Sequence, residues 1–178
     1  MKRPAPDLQA RALGWLAQRE HSRSELRRKL LQLARRSAAD GNTAGTAEAA
    51  DDADDAELAA QVEQLLDRLQ ARGLLSEERF VESRVRVRAP VFGTRRIERE
   101  LAQHGLELPP SQRRQLRDSE LQRALQLWQR RFGAQAPGDA RERARQMRFL
   151  AARGFSGDVI RRVLAAGGLS LPDEAPDR

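Results

Sequence analysis

The chain has no cysteine and no tyrosine. The first absence excludes disulfides, thiolate metal sites and cysteine nucleophiles. The serines are accounted for below as helix caps, so covalent catalysis has no obvious actor. Aromatic residues make up only 4% of the 178 residues and apolar residues 39%, which suits several thin cores better than one thick one. No apolar run approaches the length of a membrane span, and residues 1–20 lack the apolar core of a signal peptide, so a soluble cytoplasmic protein is expected. No Gly-Lys-Ser/Thr phosphate loop is present, which removes the reason to propose nucleotide hydrolysis. His21 and His104 have no partners at zinc-ligand spacing. The chain is not expected to be an enzyme, and no catalytic residue, cofactor or metal is assigned. Lysine is nearly missing, at Lys2 and Lys29 alone, and arginine supplies the rest of the positive charge. Genomic base composition accounts for that bias as well as any preference for the guanidinium fork does.

What is present is a repeated sentence. Near the start it reads Leu13, Leu16, Ser22, Leu26, Leu30, and near the end Met147, Leu150, Ser156, Ile160, Leu164, with identical steps of three, six, four and four. Trp15 and Phe149 correspond, as do Arg11 with Arg145 and Arg19 with Arg153. A third copy of its second half reads Gly93, Ile97, Leu101. Each copy is too small to bury its own core, so copies must stack or share a further helix. The expectation is an all-α tandem array of small modules offering a surface to a partner.

Charge is partitioned sharply. Residues 1–36 carry ten Lys/Arg against three acids, residues 37–57 carry seven acids and no base, and residues 58–178 carry twenty-three Arg against sixteen acids. Basic modules therefore flank an acidic segment, and a basic surface favours phosphate backbones or an acidic protein.

Helical periodicity places a first helix at 8–19, with Leu8, Ala12, Leu13, Trp15 and Leu16 on or near one face. Ser22 and Glu25 form a capping box for a second, buried through Leu26, Leu30 and Leu33. Residues 37–56 have no large apolar side chain and are expected to be disordered. Their Asp51, Asp52, Asp54 and Asp55 read as a solvated acidic loop, because a divalent ion needs fixed geometry. A third helix runs through Val62, Leu65, Leu66 and Leu69 and stops at Gly73. Ser76 caps the next helix, whose inward face is Phe80, Val81 and Val85, and Thr94–Gln103 forms another. Pro109 and Pro110 open residues 111–132, as one bent helix or two, with Ser119 and Gln122 as a further capping box. Asp139 and Glu142 cap a helix to Ala152, and Ser156 starts one ending by Gly167. The expected modules are 1–75 (with the insert 37–56), 76–118 and 119–167, followed by a disordered tail at 168–178.

The functional candidates are arginines in three clusters at equivalent module positions. One is Arg19, Arg23, Arg27 and Arg28; another Arg84, Arg86, Arg88, Arg95, Arg96 and Arg99; the third Arg141, Arg143, Arg145, Arg148, Arg153, Arg161 and Arg162. Any single arginine reads equally well as a solvated helix face or an ion-pair partner. Three clusters in phase with the repeat argue for a basic stripe that meets phosphates or acidic loops. Trp15, Trp128, Phe132 and Phe149 lie on apolar faces and read as core before they read as base-stacking platforms.

Four signatures together resemble the RecX family, bacterial regulators of the RecA recombinase. They are Leu16, Arg19, Glu20, Ser22, Glu25, Leu26, Lys29, Leu30; then Gly73, Leu74, Leu75, Glu78, Arg79, Phe80; then Gly93, Arg96, Ile97, Glu100, Leu101, Gly105; and Phe149, Leu150, Arg153, Gly154, Phe155, Ile160. They occur in family order across about residues 8–166. The family usually has a short turn where this chain inserts residues 37–56. The resemblance implies an elongated array of three-helix, helix-turn-helix-like modules. It implies binding in the groove of the RecA–single-stranded DNA filament and suppression of ATP hydrolysis, strand exchange and coprotease activity. The fifteen arginines carried forward as contacts to the filament or its DNA are the three clusters without Arg141 and Arg143. A monomer with no membrane partner is expected. The rival readings are a helix-turn-helix transcription regulator that binds duplex DNA, and a helical adaptor for an acidic protein.

Overall fold

The computed structural model describes residues 7–41, 51–133 and 136–166, and these form nine α-helices with no strand among them. By compactness the chain divides into Met1–Ser83 and Arg84–Arg178.

The first unit holds α1 (Leu8–Gln18), α2 (Arg23–Gly41) and α3 (Asp51–Ala71), and α4 (Glu77–Arg88) begins within it. Asp7 starts α1 by accepting the Ala10 amide at 3.0 Å, and Ser22 starts α2 by accepting the Glu25 amide at 3.1 Å. Each bond satisfies an amide that has no partner inside the helix. Ala12, Leu26, Leu30, Val62, Leu65, Leu66, Leu69 and Leu75 form one core, with Leu8, Trp15, Leu16 and Leu31 packed at its edge. Gly73 takes a φ of 68° and turns the chain out of α3. The Leu74 amide then bonds the Leu69 carbonyl at 2.9 Å, a glycine-terminated helix end. Ser76 caps α4 through the Arg79 amide at 3.2 Å.

The insert does not interrupt the helices where its composition suggested. Residues expected to be disordered at 37–41 and 51–56 belong to α2 and α3. Alanine is the strongest helix former, so both helices run on past their last packed residue without needing large apolar side chains. Residues 42–50 and the tail 168–178 lie outside the described residues.

The second unit contains α5 (Thr94–Ala102), α6 (Pro110–Asp118), α7 (Glu120–Phe132), α8 (Ala140–Ala152) and α9 (Gly157–Ala166). Residues 111–132 are thus two helices. Ser119 does not cap the second of them. Its hydroxyl turns back to the Gln115 carbonyl at 2.8 Å and the Leu116 carbonyl at 3.3 Å, because Ser119 itself is still helical in backbone. Asp139 and Ser156 do cap, accepting the Glu142 amide at 2.7 Å and the Val159 amide at 3.3 Å. Ala124, Trp128, Leu150, Phe155, Val159, Ile160, Val163 and Leu164 form the core of α7, α8 and α9. Trp128 is wholly buried and donates its indole N–H to Gln146 at 2.7 Å.

The repeat register holds in three dimensions. The helices α2, α5 and α9 each begin on the residue after Ser22, Gly93 and Ser156, and the pairs Leu26/Leu30, Ile97/Leu101 and Ile160/Leu164 are all buried. One position departs from the expected pattern in both outer copies. Leu13 and Met147 are exposed, and the preceding residues Ala12 and Gln146 are buried instead. One residue is about 100° of helix, enough to carry these side chains past the edge of a narrow core.

Within the second unit the middle and last copies of the repeat touch through glycine. Gly93 donates its amide to the Arg153 carbonyl at 2.9 Å. A Cβ on Gly93 would fall on the Gly154 backbone, and one on Gly154 would come within 2.6 Å of the Arg96 Cβ. Gly154 also has a φ of 81°, which side-chain-bearing residues seldom adopt. We expect Gly154→Ala to destabilise this unit by about 1–3 kcal/mol, read as a lowered urea midpoint with helix content retained below it.

Candidate functional site

The three arginine clusters have different fates. In the first unit the guanidiniums are largely matched by carboxylates. Arg19 forms a two-pronged pair with the buried Glu25, one bond being 3.1 Å. Arg23 reaches Glu63 at 2.6 Å and Asp67 at 2.8 Å, and Arg27 also pairs with Glu63. The Arg27 and Arg23 hydrogen bonds hold the Glu63 carboxyl below its usual range. Burial pushes the Glu25 carboxyl up, but the hydrogen bonds and charge of Arg19 outweigh that and leave it low. Of this cluster only Arg28 is exposed with no ion pair among the described residues.

In the second unit the arginines are held differently. Arg84 and Arg88 share Glu100, at 3.3 and 3.0 Å, and Arg161 pairs with Asp158 at 3.1 Å. The remaining anchors are rings and carbonyls. Arg96 lies 4.3 Å from the Phe92 ring centre and donates to the Ala152 carbonyl at 2.9 Å. Arg153 lies 3.7 Å from the Phe149 ring and donates to the Phe149 carbonyl at 3.3 Å. Phe149 meets Phe132 edge to face at 5.1 Å, and Arg145 sits 5.6 Å from the Phe132 ring. Rings and carbonyls orient a guanidinium without cancelling its full charge. Arg86, Arg95, Arg99, Arg148 and Arg162 are exposed and have no ion pair among the described residues. Burial, and then the like charges of Arg96 and Arg131, lower the Arg153 pKa from its ordinary value. Arg130, Arg131 and Arg153 gather there with no carboxylate paired to them among the described residues.

Two supports of this surface were not anticipated. Arg123 was not among the candidates. It is a fastening: its guanidinium donates to the Ala89, Phe92 and Leu116 carbonyls at 2.6, 2.8 and 2.8 Å. Buried Glu120 accepts the Thr94 amide at 2.7 Å and so caps α5, whose own cap residue is Gly93. Arg130 and Arg131 were also passed over. With Leu127, Phe149 and Arg153 they line an open cavity of about 520 Å³. The aromatic residues read as core are core or core edge: Trp128 is buried, and Trp15, Phe132 and Phe149 pack against the two clusters. Among the described residues no group of His, Asp and Glu side chains is gathered that could hold a metal ion. No helix among them is long and apolar enough to cross a membrane.

The comparisons with known proteins agree with this architecture. Residues 118–164 match the family description "RecX, third three-helix domain", a span that takes in α7, α8 and most of α9. A regulatory protein RecX from Leptothrix cholodnii is 49% identical over 166 residues, covering 91% of this chain and 90% of that protein. The chain belongs to the RecX family. Other RecX proteins are 41% identical over 168 residues in Ralstonia pickettii (93% of this chain, 91% of the relative) and 43% identical over 162 residues in Pseudomonas entomophila (89% and 90%). These relatives are named as regulatory proteins.

The first unit also contains a closed polar cluster. His21 Nδ1 lies 2.9 Å from the Arg19 carbonyl, which can only accept, so Nδ1 carries the proton. Nε2 is then an acceptor for the Lys29 ammonium at 3.0 Å. Burial is the main reason the His21 pKa falls below its usual 6.5, aided by the charges of Arg19 and Lys29; the Arg19 carbonyl and Glu25 oppose it. The unfolded chain therefore takes up this proton first as pH falls, and the folded state loses stability below about pH 6.5. We expect the melting temperature to drop between about pH 7 and about pH 5.5, and His21→Phe to flatten that slope. An unchanged slope in the folded variant would assign the dependence to other groups.

Proposed function

We propose that the chain binds the RecA–single-stranded DNA filament and inhibits its ATP hydrolysis, strand exchange and coprotease activity. One observation carries the reading beyond family membership. The second unit presents guanidiniums fixed in place by rings and carbonyls, with little carboxylate to neutralise them. Such a cationic surface suits a polyanion, because the side chains already held lose less freedom on binding. The proposed contacts are Arg96, Arg145 and Arg153, which rings and carbonyls hold, together with Arg86, Arg95, Arg99, Arg148 and Arg162, which are exposed with no ion pair among the described residues. Arg28 is the first unit's contribution, since Arg19, Arg23 and Arg27 are matched internally.

In this mechanism the three modules, 1–75, 76–118 and 119–167, act as linked weak binders. Linkage makes each later contact intramolecular, so the whole binds tightly where one module would not. A chain held across neighbouring protomers resists the conformational cycle tied to ATP hydrolysis and blocks incoming duplex. The protein acts as a cytoplasmic monomer, and the nucleic acid it meets is that of the filament.

The test is RecA ATPase on single-stranded DNA while the protein is titrated, with free-DNA binding measured in the same buffer. Inhibition well below the level that coats the DNA identifies the filament as target. Inhibition only at DNA saturation, with sequence-specific duplex binding, would favour the transcription-regulator reading. The double reversal Arg95→Glu/Arg99→Glu is expected to weaken inhibition at least tenfold. Both side chains are exposed and unpaired among the described residues, so helix content should not change. Arg96 is left in place because it also supports the α8 end.

A further inference from the structure

The same repeat position behaves in opposite ways in the two outer copies. Arg19 is closed by Glu25. Its counterpart Arg153 has Val159 at the position of Glu25, and no carboxylate among the described residues pairs with it. The rest of the cluster changes in step: His21 and Lys29 of the first copy are Phe155 and Val163 in the last, both buried in an apolar core. The exchange removes the carboxylate that closes the arginine and leaves it lying on Phe149, 3.7 Å from the ring centre, with a hydrogen bond to the Phe149 carbonyl at 3.3 Å.

Arg153 then forms a wall of the cavity of about 520 Å³, with Leu127, Phe149, Arg130 and Arg131. The cavity is wide open to solvent, so it offers a face to a bound group rather than an enclosure. Arg130 and Arg131 are exposed in the last turn of α7 and likewise lack a carboxylate among the described residues. The site thus offers one guanidinium plane backed by a ring, two further guanidiniums, and apolar surface from Leu127. A carboxylate side chain would use the charges alone. A nucleotide would use all of it: a flat base stacks on an arginine plane, and its phosphates take the two forks.

We propose that this cavity is a nucleotide subsite for single-stranded nucleic acid, with a base stacked on Arg153 and the flanking phosphates on Arg130 and Arg131. The proposal rests on the reading that the chain meets the filament's nucleic acid, and it names the part of the surface that touches a base.

The probes are a short oligothymidylate, an abasic oligomer with the same number of phosphates, and a polyglutamate competitor, with binding followed by anisotropy. Wild-type protein is expected to prefer the oligothymidylate over the abasic oligomer by about tenfold, in line with one base stacked. Arg153→Lys keeps the charge but loses the plane, and should bring the two affinities together. Arg130→Gln/Arg131→Gln should weaken both oligomers about equally, by roughly tenfold or more at low salt. Both variants are checked for helix content and melting. Equal wild-type affinity for the two oligomers would overturn the proposal, as would a base preference that survives in folded Arg153→Lys. Displacement of the oligothymidylate by polyglutamate at matched charge would assign the cavity to an acidic peptide instead. RecA ATPase measured on the same proteins separates the two readings. Inhibition without base preference sinks the subsite alone, and base preference without inhibition sinks the filament reading alone.

Discussion

Two glycines that leave no room for a Cβ between them hold the second unit's basic surface together. Gly93 and Gly154 let the α4–α5 loop lie directly on the turn after α8. That approach brings Arg96 to the Ala152 carbonyl and sets Arg153 beside it. Like charges do not gather unaided, so backbone packing and hydrogen bonds must supply what electrostatics opposes. Arg123 adds two carbonyl bonds to the same loop, at Ala89 and Phe92, and a third to Leu116 of α6, and Glu120 caps the helix that follows the loop. The surface is a consequence of backbone proximity, and its charges are arranged after the fact.

The repeat has two ways of managing an arginine. With a carboxylate one turn into the next helix, as at Glu25, the guanidinium is folded back and serves stability. With an aliphatic residue there, as at Val159, the same guanidinium is left on its aromatic neighbour and faces outward. A buried ion pair contributes little net stability over an apolar isostere, so the two solutions are close in energy. The copies were therefore free to diverge in surface chemistry while keeping Leu26 and Leu30, or Ile160 and Leu164, at the same buried positions. This is how one fold unit becomes a support in one place and a contact in another.

Much of this was legible in the chain because it is local. Capping serines sit next to the helices they start, and the buried pairs lie four residues apart, so the register of α2, α5 and α9 could be read directly. The family signatures run along the same register. The cavity was not legible, because Leu127, Arg131 and Phe149 converge from two helices with a loop between them. The fastening role of Arg123 depends on carbonyls of residues far away in sequence, and a carbonyl carries no sequence signature. Nor could composition tell which arginines were neutralised, since Glu63 is forty residues from Arg23. The continuation of α2 and α3 into the acidic segment was missed for another reason. A lack of large apolar residues argues against packing, but alanine-rich chain can extend a helix already nucleated by a packed one.

The placing of these supports has a bearing on the order of events during synthesis. Arg95, Arg96 and Arg99 emerge from the ribosome early, yet the groups that secure their helix come later: Glu120 caps it, Arg123 ties the loop before it, and Ala152 receives Arg96. Domains of a growing chain fold as their parts become available. The last third of the polypeptide thus completes the basic surface, and Arg96 has no Ala152 carbonyl to receive it until α8 is made. Termination or damage near the end would remove more than the last module's own contacts, because Arg96 of the middle module would lose the carbonyl that aims it.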